Sequence, residues 1–134
     1  MKLTKYSKDK LYRSFDQYAV DKDYADPIYN YLVFGHEPGS FFTALLANDF
    51  MGAISHSHPA NTISALKNLV IWIINELPEG VIFGSREVVN TWLSITDAHR
   101  RAVLEHHKLI YSEFDEVVMV LKDEPIQPYS TFII

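Results

Sequence analysis

The sequence predicts a mainly α protein: one compact bundle of about five helices, with an irregular N-terminal segment and an extended C-terminal tail. Three observations carry this. Apolar residues recur at i, i+3 and i+4 through most of the chain. Pro and Gly interrupt the pattern, at Pro38–Gly39 and again at Pro78 and Gly80. Ser or Thr stands ahead of the periodic stretches as a ready N-cap. At 134 residues the chain suits one domain, 1–134, with 1–9 and 123–134 expected to be flexible.

Leu11, Tyr12, Phe15, Tyr18 and Ala19 are spaced for a first short helix. A charged connector, VDKDYAD, follows. Pro27 suits a first helical turn, and Gly35 should stop a helix over Ile28–Phe34. Ser40 is a candidate N-cap for a helix from Phe41 to about Ser55, whose stripe is Phe42, Leu45, Leu46, Phe50, Ala53 and Ile54. The loop HSHPAN breaks it, and Pro59, Asn61 or Thr62 starts the next helix, which runs to Leu77. Its main face is Ile63, Leu66, Val70, Ile73, Ile74 and Leu77, with Leu69 and Trp72 on the far side. A helix apolar on two sides is central in a fold or part of an interface. Ser85 caps a helix holding Val88, Val89, Trp92 and Leu93. Thr96 or Asp97 opens the longest periodic segment, to Leu121, in which EVVMVLK has a strand as its alternative.

Composition limits the function classes. The net charge is -5, opposite to the usual sign of a nucleic-acid binder, and no Lys or Arg occurs between Asp23 and Leu66. Lys2, Lys5, Lys8, Lys10 and Arg13 read as a solvated end diluted by Asp9 and Asp16. No cysteine is present, so disulfide, thiol and Cys-ligated metal chemistry are excluded. The start, MKLTKYSKDK, lacks a signal-peptide apolar run, and the longest apolar run, Leu69–Ile74, is too short to span a bilayer. A cytoplasmic protein with no membrane contact, no direct nucleic-acid binding and no cofactor is expected.

Candidate chemistry is sparse, and no catalytic residue is assigned. Asp49 falls inside the apolar stripe of its helix. A carboxylate there must be paired, hydrogen-bonded or protonated, so it is expected to be a buried anchor that binds a nearby backbone N–H, a helix N-terminus or Arg100, itself a candidate buried polar residue. The sharper alternative is a carboxylate of raised pKa in a metal-assisted hydrolase with His56 and His58, which stand at i, i+2 in a loop. His99, His106 and His107 have no chelating spacing on a helix. Leu69 and Trp72, with Tyr12, Phe15 and Tyr18 from the aromatic first quarter, are the candidate protein interface.

At PGSFFTALLANDFMGAI, a second helix ending ELPEG, and FGSREVVNTWL, the chain resembles a group of short phage- and prophage-carried proteins. The patterned residues are Pro38, Gly39, Ser40, Phe41, Asn48, Asp49, Gly84, Ser85 and Trp92, within Pro27–Leu93. The connector SHSHPAN departs from the more acidic one of that group. The resemblance implies a mobile-element origin and brings no catalytic residue with it. The expectation is a non-enzymatic accessory protein that binds a protein partner or itself, in one version modulating a host machine. A minor virion component is a further alternative.

Overall fold

The computed structural model of the chain describes residues 1–123. Among these the bundle has eight α-helices rather than about five. They are α1 (Asp9–Tyr18), α2 (Ala25–Phe34), α3 (Ser40–Leu46), α4 (Phe50–His56), α5 (Ile63–Glu76), α6 (Arg86–Ser94), α7 (Asp97–His106) and α8 (Glu113–Asp123). A 3-10 turn at Lys22–Tyr24 precedes α2. No helix among the described residues is long and apolar enough to cross a membrane. The expected C-terminal tail lies, from residue 124 onward, outside the described residues.

The extra helices come from two breaks that apolar spacing conceals. The helix expected over Phe41–Ser55 divides into α3 and α4. Asn48 takes a left-handed conformation (φ 62), and Asp49 then caps α4 by accepting the Gly52 N–H at 2.9 Å. Asn tolerates that conformation better than other side chains, and Asp is a strong N-cap. Ser40 is the first residue of α3 and makes no capping bond; Gly39 (φ 89) holds the cap position. The longest expected helix divides into α7 and α8 at Lys108 (φ 58), where the Leu109 N–H returns to the Leu104 carbonyl. EVVMVLK lies within α8, so its helical alternative is the one adopted.

Other termini follow local chemistry. Gly35 ends α2 in the left-handed region (φ 66). Thr62, Ser85 and Thr96 cap α5, α6 and α7, accepting the N–H groups of Ala65, Val88 and His99.

The core forms around α2 and the inner face of α5. Trp72 is fully buried, meets Phe15 of α1 edge-on at 5.0 Å, and donates its indole N–H to Ser14 Oγ at 2.8 Å. Leu69 is sealed beside it in the same cluster. Trp92 of α6 donates to the Tyr31 carbonyl at 2.8 Å, and Tyr31 donates its hydroxyl to the Ile82 carbonyl at 2.7 Å. Arg100 is buried, with Nη2 donating to the Trp92 and Ile95 carbonyls and Nη1 to Asp97.

The N-terminal segment is held rather than loose, which corrects the expectation for residues 1–9. Leu3 is fully buried and pairs with Leu109 and Tyr111 through backbone hydrogen bonds. The Tyr29 hydroxyl donates to the Thr4 carbonyl at 2.6 Å, and the Lys5 N–H donates to Glu116. A basic composition hides this, because one buried leucine and backbone pairing do the anchoring.

Burial pushes the Tyr29 hydroxyl up to about 12, and the negative charge of Glu116 adds to the shift. Burial moves Tyr31 in the same direction. A folded-state pKa above the unfolded value near 10 stabilises the fold fully below about pH 10, and that contribution disappears as pH rises toward about 12. Denaturant midpoints should therefore fall through that alkaline window. Tyr29→Phe should start lower by about 1 kcal/mol for the lost hydrogen bond and fall less steeply. An equally steep fall in the variant would remove Tyr29 from this role.

Candidate protein-binding surface

Helix α5 settles which of its two apolar sides is free. At 100° per residue, Ile63, Val70 and Ile74 share one side, and Trp72 lies opposite. The structure turns Leu69 and Trp72 inward and leaves Ile63 and Ile74 exposed. The expected main face is thus partly the outer one, with Leu66, Ile73 and Leu77 buried along its edge. The reason is long-range: α1 brings Phe15 and Ser14 onto Trp72.

The interface expected at Leu69, Trp72 and Phe15 is therefore interior, since all three are sealed. Tyr12 and Tyr18 are half-buried at the margin of the same core. The Tyr12 ring carries Lys22 Nζ at 5.8 Å from its centroid.

A different surface is left open. On α4, Phe50, Met51 (82% exposed) and Ile54 face solvent. On α5, Ile63 (74% exposed) and Ile74 do so. Phe50 and Ile74 line one groove of about 110 Å³ with Leu45, Val70, Ile73 and Phe83. Asn48, the residue that breaks the helix, also borders it. The α3–α4 break is thus what swings Phe50 out to the groove instead of continuing it along the stripe of Phe42 and Leu46. Periodicity treats Phe50 as core; the Asn48–Asp49 pair, a left-handed residue followed by a cap, was the signal that could have placed it outside.

The polar candidates separate. Asp49 is exposed and acts as a helix cap, so it is not a buried anchor. Its position on a continuous wheel was fictitious because the helix ends just before it. Arg100 is buried but pairs with Asp97 and two carbonyls. Asp49 and His56 line a polar cleft of about 200 Å³ with Glu37, Ser40, Thr43 and Arg86. Thr43 Oγ1 is buried there without a hydrogen-bond partner. His58 is not part of that lining; its Nδ1 accepts the Ala60 N–H at 3.0 Å. Among the described residues no three His, Asp or Glu side chains gather to hold a metal ion. The trio of His56, His58 and Asp49 is therefore not assembled.

Glu116 is a polar residue the sequence reading missed. It is 1% exposed on α8, with Arg101 Nη2 donating to it at 2.8 Å. Ser112, whose hydroxyl accepts the Asp115 N–H, could have revealed the start of that helix.

If Asp49 is a cap and nothing more, Asp49→Ala should cost about 1 kcal/mol in chemical denaturation. A loss of about 3–5 kcal/mol would mean that a buried charge pair had been broken. Compared with known proteins, the chain matches no family model, no curated protein and no solved structure.

Proposed function

We propose that the protein works without catalysis, by binding another protein through the apolar face of α4 and α5. In this reading it is a phage or prophage accessory protein that modulates a host machine. The single observation that supports binding is the exposure of Phe50, Met51, Ile54, Ile63 and Ile74 on two successive helices. Of these, Phe50 and Ile74 line one groove, and exposed apolar side chains that adjoin a groove are what protein interfaces are made of, whereas isolated ones mean little. Met51 and the isoleucines supply adaptable contact area, and Phe50 supplies an aromatic anchor beside a groove that can admit a partner's side chain. The face carries little charge: α4 has no Asp, Glu, Lys or Arg, and α5 has Lys67 and, at its end, Glu76. Desolvating it on binding therefore costs little. The mobile-element origin rests on the resemblance at Pro38–Phe41, Asn48–Asp49 and Gly84–Trp92 alone.

Phe50→Asp and Ile74→Asp test this reading. Both positions are exposed, so thermal stability should stay close to that of the parent chain. A partner isolated from the host cytoplasm under native conditions should bind each variant at least about tenfold more weakly in calorimetry, the loss expected when a central apolar contact is replaced by a charge. Undiminished affinity for both variants would place the binding surface elsewhere.

A further inference from the structure

The polar cleft beside α3 and α4 is separate from the α4–α5 surface. Ser40, Thr43 and Ala44 recur at i, i+3 and i+4 on α3. Asp49, Gly52 and His56 recur at i, i+3 and i+7 along α4, on the side away from Phe50, Met51 and Ile54. These two faces of small and polar residues meet in the cleft of about 200 Å³. Glu37 joins them from the segment before α3, and Arg86 from the first turn of α6. Ala44 is buried, and Gly52 adds no side chain; a Cβ there would run into the Asp49 carboxylate.

Two features set this cleft apart from ordinary polar surface. The first is Thr43 Oγ1, buried without a hydrogen-bond partner in the protein. Such a hydroxyl costs the fold stability and calls for a partner from outside the chain. The second is charge that the cleft does not neutralise. Among the described residues, none of Glu37, Asp49, His56 and Arg86 forms an ion pair. Asp49 uses Oδ1 to accept the Gly52 N–H, which leaves Oδ2 for another donor. Two carboxylates and one guanidinium thus border the same small space without satisfying one another.

We infer that the cleft binds a small zwitterion, a free α-amino acid. Its ammonium group is held by Glu37 and Asp49. Its carboxylate is held by Arg86, whose planar fork suits a carboxylate, and Thr43 Oγ1 adds a hydrogen bond. An anion alone would meet two carboxylates, and a cation alone would meet Arg86. A molecule carrying both charges meets neither repulsion. The size agrees, since 200 Å³ is below the roughly 300–1,000 Å³ of sites for drug-sized ligands. Glu37, Asp49 and Arg86 are exposed, so their contacts stay partly solvated and binding is weak.

The common free amino acids are the probes, each titrated to about 10 mM into the isotope-labelled full chain, a range suited to weak polar contacts. At least one should shift the amide signals of Thr43, Gly52 and Arg86 saturably and leave those of Ile63 and Ile74 in place. Acetate and methylammonium, with one charge each, should bind at least about tenfold more weakly. Thr43→Val keeps the shape of the side chain and removes the hydroxyl. It should weaken amino-acid binding about tenfold while the thermal midpoint stays level or rises, because no internal hydrogen bond is lost. Arg86→Gln should weaken amino-acid binding and leave that of methylammonium unchanged. Phe50→Asp should bind the amino acid as the parent chain does. The proposal is overturned if no amino acid shifts these amides, or if acetate alone or calcium ions shift them as strongly. Full-strength binding by Thr43→Val, or a lowered midpoint in it, would also overturn the proposal, since the hydroxyl would then be idle or would serve the fold.

Discussion

The guanidinium of Arg100 sits where Gly35 has no side chain, and much of the bundle depends on that fit. A methyl group on Gly35 would come within 2.2 Å of the Arg100 guanidinium carbon. From this slot Arg100 reaches the Trp92 and Ile95 carbonyls at 3.0 and 2.9 Å. These lie at the C-terminus of α6, where helix carbonyls lack partners of their own. The guanidinium also lies 5.7 Å from the Trp92 ring centroid. Trp92 in turn donates to the Tyr31 carbonyl, and Tyr31 donates to the Ile82 carbonyl. One buried cation thus couples the ends of α2 and α6, the body of α7 and the link before α6. The left-handed turn at Gly35 both ends α2 and clears the space, so two demands fall on a residue that only glycine meets easily.

With α2, α6 and α7 locked in this way, α1 and α5 close the other side of the core. Trp72 and Leu69 are used up internally, with Ser14 satisfying the indole N–H. That disposition leaves α5 with apolar residues to spare on its outer side. It leaves α4, swung out by the break at Asn48, with Phe50 and Met51 in solvent. The candidate binding face is therefore a by-product of how the interior was filled.

The legible parts of the fold were those written locally. Thr62, Ser85, Thr96 and Gly35 mark helix boundaries through hydrogen bonds or backbone angles that depend on the residue itself, and each does so in the structure. The illegible parts depended on distant residues or on periodicity surviving a break. Apolar spacing continues through Asn48–Asp49 and through Lys108, so two helices were read where four exist. That error also created the apparent burial of Asp49. Which side of α5 faces inward could not be read from α5, because both sides are apolar and α1 decides. Leu3 was hidden for the same reason: its partners, Leu109 and Tyr111, lie more than a hundred residues away. The candidate surface was legible as a question about α5 and illegible as to which face answers it.

The coupling between Gly35 and Arg100 tests the account most directly, through a double-mutant cycle of Gly35→Ala and Arg100→Ala followed by chemical denaturation. In the Arg100→Ala background, Gly35→Ala should cost only its left-handed strain, roughly 1–2 kcal/mol. In the parent chain it should cost at least about 1 kcal/mol more, because the methyl group also expels the guanidinium from its slot. Costs equal to within about 0.5 kcal/mol in the two backgrounds would show the sites to be independent, and would contradict the claim that this one fit holds the bundle together.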